Sequence, residues 1–427
     1  MDQQTTSGRD NRKAVVGPAE LQMGEREFVV LMALISALAA LAIDILLPAF
    51  ADMRVAFGLA PDATNLSLTI TLFFVGSGLG NLVYGPLTDA WGRKPVLLAS
   101  LALYGAAALA SALATDLMWL LVARFLWGFG AGGPRVLTQA IVRDRFSGDA
   151  MARVMSTVQA VFFLGPIAAP LVGAGLVSIG SWRWVMAFGV ITSAATALWS
   201  LRLRETLLPD HRRPLSAATI VGGFRAVVGH RRTLLLALSN TFVAGAFFSF
   251  LSSSELVFGD VFDRAEWFVP YFSGMAVILG LSSLGITHLL KRIPASRITK
   301  VAGAGLVLVS SGRLILAIGY GGVPPFPVWL VLFSLSNLCI VAMFPSLNSL
   351  SLEPMGALAG TAASVLGFTM SVGGAALASI TDRFLGGSVL PLALAYCGYG
   401  AVSYLLQISG LRQPATPAGA ASAPSAG

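Results

Sequence analysis

Charge is what this chain lacks most. Only 11% of its 427 residues are Asp, Glu, Lys or Arg, against roughly a quarter in a typical soluble domain. Hydrophobic residues make up 56%, and the mean hydropathy is +0.79. So few polar groups cannot cover a soluble globule of this length. Cysteine is nearly missing: Cys339 and Cys397 both lie in apolar stretches, which argues against a disulfide framework and against thiolate metal binding. The three histidines, His211, His230 and His288, form no i, i+4 pair, so no zinc motif is present. No G-x-x-x-x-G-K-[ST] loop occurs, and an ATP-driven mechanism has no visible site. No cofactor and no metal are expected.

What the chain has in quantity is apolar runs. About twelve of them, each roughly 20 residues, are long enough for one helix to cross a bilayer. They fall near 27–50, 64–86, 95–115, 117–140, 153–177, 182–201, 233–257, 267–290, 297–318, 326–350, 358–382 and 388–408. Thr115 and Asp116 alone separate the third and fourth runs, so that hairpin is tight. The longest polar interruption, 202–232, divides the runs into six and six. The fold class expected is therefore an all-α integral membrane protein. Its parts are a tail over 1–26, a six-helix bundle over 27–201, a linker over 202–232, a second bundle over 233–408 and a tail over 409–427. Residues Met1–Glu25 lack the short apolar core of a signal peptide. The last stretch, rich in Ala, Pro, Ser and Gly, reads as disordered.

The net charge of +8 raises nucleic acid as a partner in a soluble protein; here it reads as basic loops on one side of a membrane. With the N-terminus cytoplasmic, 21 of the 28 Lys and Arg fall on the cytoplasmic side, 4 fall outside, and Arg124, Arg135 and Arg313 remain within spans. By the positive-inside rule both termini face the cytoplasm of a cell membrane. Two six-span halves joined by a cytoplasmic linker suit a transporter whose substrate site lies at mid-membrane between them.

Several motifs sharpen this. After the second span comes Gly85-Pro86-Leu87-Thr88-Asp89-Ala90-Trp91-Gly92-Arg93-Lys94-Pro95. Its glycines allow a tight turn, and Asp89 is placed to cap the next helix or to pair with a neighbouring cation. The fourth span holds Arg124-x-x-Trp127-Gly128-x-Gly130-Ala131-Gly132-Gly133. An arginine inside a span is costly unless paired or hydrated, and the small residues favour close helix packing. Gly128-x-Gly130 is no dinucleotide loop, because no βαβ unit surrounds it. The fifth span holds Gly165-Pro166-x-x-Ala169-Pro170-x-x-Gly173-x-Gly175, a pattern of bends and close approaches. The first span holds Asp44-Ile45-Leu46-Leu47-Pro48-Ala49, with Asp44 its sole acid well inside.

Together these resemble the major facilitator superfamily. The loop at Gly85, Asp89, Gly92, Arg93 and Lys94 is similar to the family's signature loop after span two, with Ala90 where a basic residue is usual. Arg124 resembles the arginine of the exporters' fourth-span motif, with Trp127 in place of Gln. Gly165, Pro166, Pro170 and Gly173 look like the antiporter motif of the fifth helix, with Ala169 for a common Gly. The Asp44 element, Trp182-Arg183-Trp184 and the Gly360–Gly367 stretch resemble the Bcr/CflA group of drug-resistance proton antiporters. The loop after span eight, around Lys291 and Arg292, keeps positive charge but has no acid.

The resemblance implies a twelve-helix, two-bundle fold working by alternating access. It implies export of a small amphipathic compound, in the manner of multidrug or chloramphenicol-type efflux and antibiotic resistance, driven by the proton gradient. The expected partners are a small-molecule drug, protons and the lipid bilayer, with no nucleic acid and a monomeric state. A metabolite transporter of the same fold is the alternative. More remote are a polytopic membrane enzyme, which needs a His, Asp or Glu cluster not seen here, and a transport-dead sensor.

Asp44 and Arg124 are assigned to proton coupling. At 1.5 Å per residue, Asp44 lies about 25 Å from the start of its span and Arg124 about 10 Å into an oppositely running one, so their depths nearly coincide in a core of about 30 Å. Low-dielectric burial favours a neutral acid and a nearby guanidinium favours a carboxylate, so alternation between the two environments provides coupling. A static ion pair between the helices is the competing reading. Arg313, expected at a packing interface, Arg135, expected to snorkel, and Glu255, expected to be solvated, carry less weight. So do Asn240, Asn337 and Asn348, as residues that line the cavity or bridge helices, and Phe247, Phe248 and Tyr271, as rings to stack on an aromatic drug.

Overall fold

The structure, a computed structural model, describes residues 23–60, 63–212, 217–290 and 292–413. The termini and Lys291 lie outside the described residues. Fourteen α-helices are found, and no strand occurs among the described residues. The first half comprises α1 (Glu25–Asp44), α2 (Phe50–Ala56), α3 (Ser67–Trp91), α4 (Arg93–Ala112), α5 (Leu117–Arg145), α6 (Gly148–Ile179) and α7 (Trp182–Ser200). Helix α8 (Ala217–Gly229) follows, and then the second half: α9 (Arg231–Leu256), α10 (Ala265–Leu289), α11 (Ala295–Gly319), α12 (Phe326–Leu352), α13 (Ala359–Asp382) and α14 (Leu390–Leu411). Helices α1 and α2, joined by a 3₁₀ turn over Leu47–Ala49, form one broken crossing segment. With α8 set aside, twelve crossing segments remain. Nine of the segments among the described residues are long and apolar enough to cross a membrane by those criteria alone.

The outer surface is apolar, as a lipid-facing surface must be. Along α11, Val301, Leu308 and Ile315 recur at seven-residue spacing and are 67%, 75% and 71% exposed. The opposite stripe, with Leu306, Ser310, Arg313 and Ala317, is buried. The polar side chains of this helix thus face inward among apolar ones, while its outward face is apolar, unlike that of a soluble bundle.

Local rules set the ends. The Asp116 side chain accepts from the backbone N–H of Trp119 at 2.8 Å, capping α5 and closing the tight hairpin expected from Thr115-Asp116. Ser181 accepts from the N–H of Arg183 at the start of α7. Gly92, with φ of 100°, takes a turn that L side chains rarely adopt and lets α4 begin one residue after α3 ends.

The two halves pack through α3 against α13 and α6 against α10. The end of the molecule holding the interhalf linker is called the linker face; the opposite end is the far face. Two expectations needed revision here. The first crossing segment, expected over 27–50 with a loop beyond, runs on through α2 to Ala56, and Arg54 on that extension is buried against an acid of the other half. The linker read as a polar interruption contains α8. Its Phe224 packs edge-on to Phe368 of α13 with ring centroids 5.8 Å apart, and it joins a small apolar cluster with Val365, Leu366 and Leu82 of α3. A 13-residue helix with an apolar side is too short to register as a span.

Candidate functional site

Asp44 closes α1 where the segment breaks before Pro48, and it is 4% exposed. Among the described residues its carboxyl has no ion pair and no hydrogen bond. Helix α6 lies directly against this break. A Cβ on Gly165 would sit 3.2 Å from the Ala40 Cβ, and one on Gly173 would collide with the Ile45 carbonyl. Ala169 and Pro170 of the same helix are buried, while the side chain of Pro166 lies outside the described residues. The motif of the fifth span therefore builds the wall beside Asp44, and glycine is required at 173 because backbone occupies the space of a side chain.

Arg124 of α5 is fully buried. Its Nη1 donates to the Ala42 carbonyl at 3.1 Å and its Nε to the Thr69 carbonyl at 3.3 Å. Its guanidinium lies over the Phe73 ring at 4.7 Å and the Trp127 ring at 4.9 Å, and Nη2 has no partner. The arginine thus ties α1, α3 and α5 together two residues before Asp44 on α1, without pairing to Asp44 in this conformation. Trp127, the departure from the expected Gln, supplies a ring face rather than an amide, and itself stands edge-on to Tyr104 at 5.4 Å. The small residues of the span bring α5 against α3 and α4: a Cβ on Gly128 would strike Phe73 backbone, and one on Gly130 would strike Tyr104 backbone.

The loop of Gly85, Asp89, Gly92, Arg93 and Lys94 forms one network on the linker face. Arg93 binds Asp89 at 2.6 Å, Asp144 of α5 at 2.8 Å and Thr88 at 3.2 Å. Of the two uses expected for Asp89, the structure shows pairing. The cap on α4 comes instead from Glu205, whose carboxylate accepts from the backbone N–H of Arg93 at 2.9 Å and of Lys94 at 3.1 Å. A carboxylate there meets the positive end of the helix dipole. Glu205 sits 112 residues from Arg93 in the chain, a distance that hid it from motif reading. A Cβ on Gly85 would meet Ser364 of α13 at 3.2 Å, so the same loop abuts the other half.

At the far face, Arg54 of α2 binds both oxygens of Glu255 of α9, at 3.1 and 2.5 Å, with side chains 6% and 17% exposed. Glu255, expected to be solvated, is instead half of an ion pair joining the two halves. Nearby, Phe74 of α3 stacks on Phe248 of α9 with centroids 3.7 Å apart. Phe248 is thus an interhalf contact. Arg313 is fully buried between Ser336, the Phe333 ring and the Tyr396 ring, a packing position as expected. Tyr271 bonds Ser334, Asn337 accepts from Tyr396, and Asn240 contacts Met370. Phe247 packs edge-on to Phe344. Arg135 and Asn348 are exposed.

One buried acid escaped the sequence reading. Asp382, placed at the edge of its apolar run, is the last residue of α13 and is 3% exposed. The span expected over 358–382 ends on it, and Arg383 follows directly.

The sequence model of the Major Facilitator Superfamily matches residues 32–378. The chain is 26% identical over 357 residues to a bicyclomycin resistance protein homolog of Haemophilus influenzae, covering 83% of this chain and 88% of that one. It is 25% identical over 403 residues to multidrug resistance protein D of Escherichia coli, covering 90% and 93%. Among solved structures, a D-xylose-proton symporter superposes with a TM-score of 0.75 at 14% identity, covering 92% of this chain and 98% of the other.

Proposed function

The chain belongs to the major facilitator superfamily, and we propose that it exports small amphipathic compounds across the cell membrane in exchange for protons. Asp44 carries the reading. It is a carboxyl enclosed at the break in α1, with no partner among the described residues, against the glycine wall of α6 and level with Arg124. An acid in such surroundings is favoured neutral, and approach of a guanidinium or of water favours the charged form. Arg124 is already tethered to α1 and α3 through carbonyls. In the proposed cycle, a rearrangement of α1 at the Ile45–Pro48 break brings its free Nη2 toward Asp44.

The linker face is cytoplasmic in this reading, since basic residues gather there. The described chain begins and ends on that side, and α8 lies there too. The Arg93 network with Asp89, Asp144 and Glu205 holds the cytoplasmic ends of α3, α4 and α5 as one body that moves against α13. Gly165, Pro166, Pro170 and Gly173 favour exchange over uptake. No organic cofactor takes part; the proton gradient is the energy source, the working unit is a monomer, and catalysis is not part of the function. The names of the relatives, bicyclomycin and multidrug resistance, support drugs as substrates.

The test is accumulation of a panel of labelled drugs and dyes in cells expressing wild type or Asp44→Asn, with and without a protonophore. Lower accumulation with wild type alone, abolished by the protonophore, is the expected result. Equal accumulation of every compound in all cells would reject drug export.

A further inference from the structure

Asp382 lies where the two halves meet at the far face. Ser252 of α9 touches its Oδ1 at 3.0 Å, and Ser67 of α3, in the other half, faces the same carboxyl. Oδ2 is buried without a hydrogen-bond partner. The charged and titratable groups on the elements packed around it are occupied elsewhere. Glu255 of α9 gives both oxygens to Arg54. The Tyr399 hydroxyl of α14 donates to the Leu377 carbonyl at 2.9 Å and meets Thr381 at 3.1 Å. Asp260, in the π-helical turn Val257–Val261, has contacts of its own. Arg383 follows in the chain and is exposed. No cation forms an ion pair with Asp382 among the described residues.

The Ser252 hydroxyl, with its single proton, can serve either form of the carboxyl. Ser252 Oγ lies 2.9 Å from the Phe248 carbonyl, 3.2 Å from the Ser249 carbonyl and 3.0 Å from Asp382 Oδ1. With Asp382 ionised, the two helix carbonyls keep their own backbone N–H donors and Ser252 can donate to Oδ1, but a buried charge then stands without a counter-ion, which is far costlier than a buried neutral acid. With a proton on Oδ1, Asp382 donates to Ser252, and Ser252 donates on to Phe248. Oδ2 is then an uncharged carbonyl oxygen, which is less costly to bury without a partner than a carboxylate oxygen.

We propose that Asp382 is a second proton-binding site, separate from Asp44, which holds its proton while the far-face seam is closed and releases it when the halves part there. Parting moves α3 away, admits water from the outer side, and so removes the burial that keeps the carboxyl neutral. The Arg54–Glu255 pair, three residues from Ser252 along α9, holds that same seam shut. The protonation stands on the burial of the carboxyl and its lack of a counter-ion among the described residues; its part in coupling rests on the reading of the chain as a proton-driven exporter.

The experiment is infrared difference spectroscopy of the purified full-length protein in lipid nanodiscs during a pH titration, reading the C=O stretch of protonated carboxylic acids. Subtracting Asp382→Asn from wild type at neutral pH should remove one protonated-acid band, different from the band removed by Asp44→Asn. Ser252→Ala should keep that band and move it. Arg54→Ala should lower its intensity at neutral pH. A difference spectrum showing only an ionised carboxylate overturns the proposal. So does a band unmoved by Ser252→Ala, which decides the matter if Asp382→Asn does not fold. Intensity unchanged by Arg54→Ala overturns the link to seam opening. Failure of the wild type to export any drug removes the exporter reading and leaves the infrared result standing.

Discussion

Each half of the molecule buries one arginine over aromatic rings, and the two are held differently. Arg124 reaches the backbone carbonyls of two other helices and lies two residues along α1 from an acid. Arg313 has one long contact, 3.5 Å to Ser336, and otherwise only the faces of Phe333 and Tyr396, with Nε and Nη2 unpaired. The same residue type, equally buried, therefore serves two ends. In the first half it is a junction of three helices beside a titratable group. In the second it is a cation wedged between α11, α12 and α14, remote from either buried acid by the contacts it makes. Burial of a charge is thus common to both halves, and a buried acid nearby is what sets Arg124 apart.

The sharpest way to break this comparison is to neutralise both. Arg124→Gln and Asp44→Asn should each abolish drug export in the accumulation assay, while Arg313→Gln should retain most of it. Equal losses would show that both cations serve transport. Next in size is Arg54→Ala. It leaves Glu255 uncompensated at a largely buried position, which for a broken buried pair costs about 3 kcal/mol. The closed far face should be destabilised by that order, read as faster labelling of cysteines placed there.

A smaller effect separates wall from filler within α6. Gly173→Ala puts a methyl into the Ile45 carbonyl and should lower stability by about 1–3 kcal/mol in thermal unfolding. Gly175→Ala, whose Cβ meets nothing within 4 Å, should leave it unchanged. Smallest is Arg313→Met, which trades an unpaired buried cation for an apolar chain of similar length. It should change stability by no more than about 1 kcal/mol, with a gain as the expected sign.

Much of this was legible in advance, for identifiable reasons. Crossing segments announce themselves because every residue over roughly 20 positions must be compatible with lipid. The capped hairpin at Asp116 and the turn at Gly92 are local, so spacing reveals them. The depth match of Asp44 and Arg124 followed from helix rise alone. Glu205 capping α4, Glu255 pairing with Arg54, and Asp382 between Ser252 and Ser67 were not legible. Each depends on partners more than a hundred residues away, and an acid at the edge of an apolar run looks the same whether it ends in water or in a seam.

What the sequence determined by itself is the solvent: too few charges for water, apolar runs for a bilayer, and basic residues gathered on one side of it. It also determined where glycine and proline let helices bend and touch. The tertiary structure alone decided which polar groups meet. Inside a membrane a charge or hydroxyl must find its partner within the protein, and that partner is set by how twelve helices pack rather than by position along the chain.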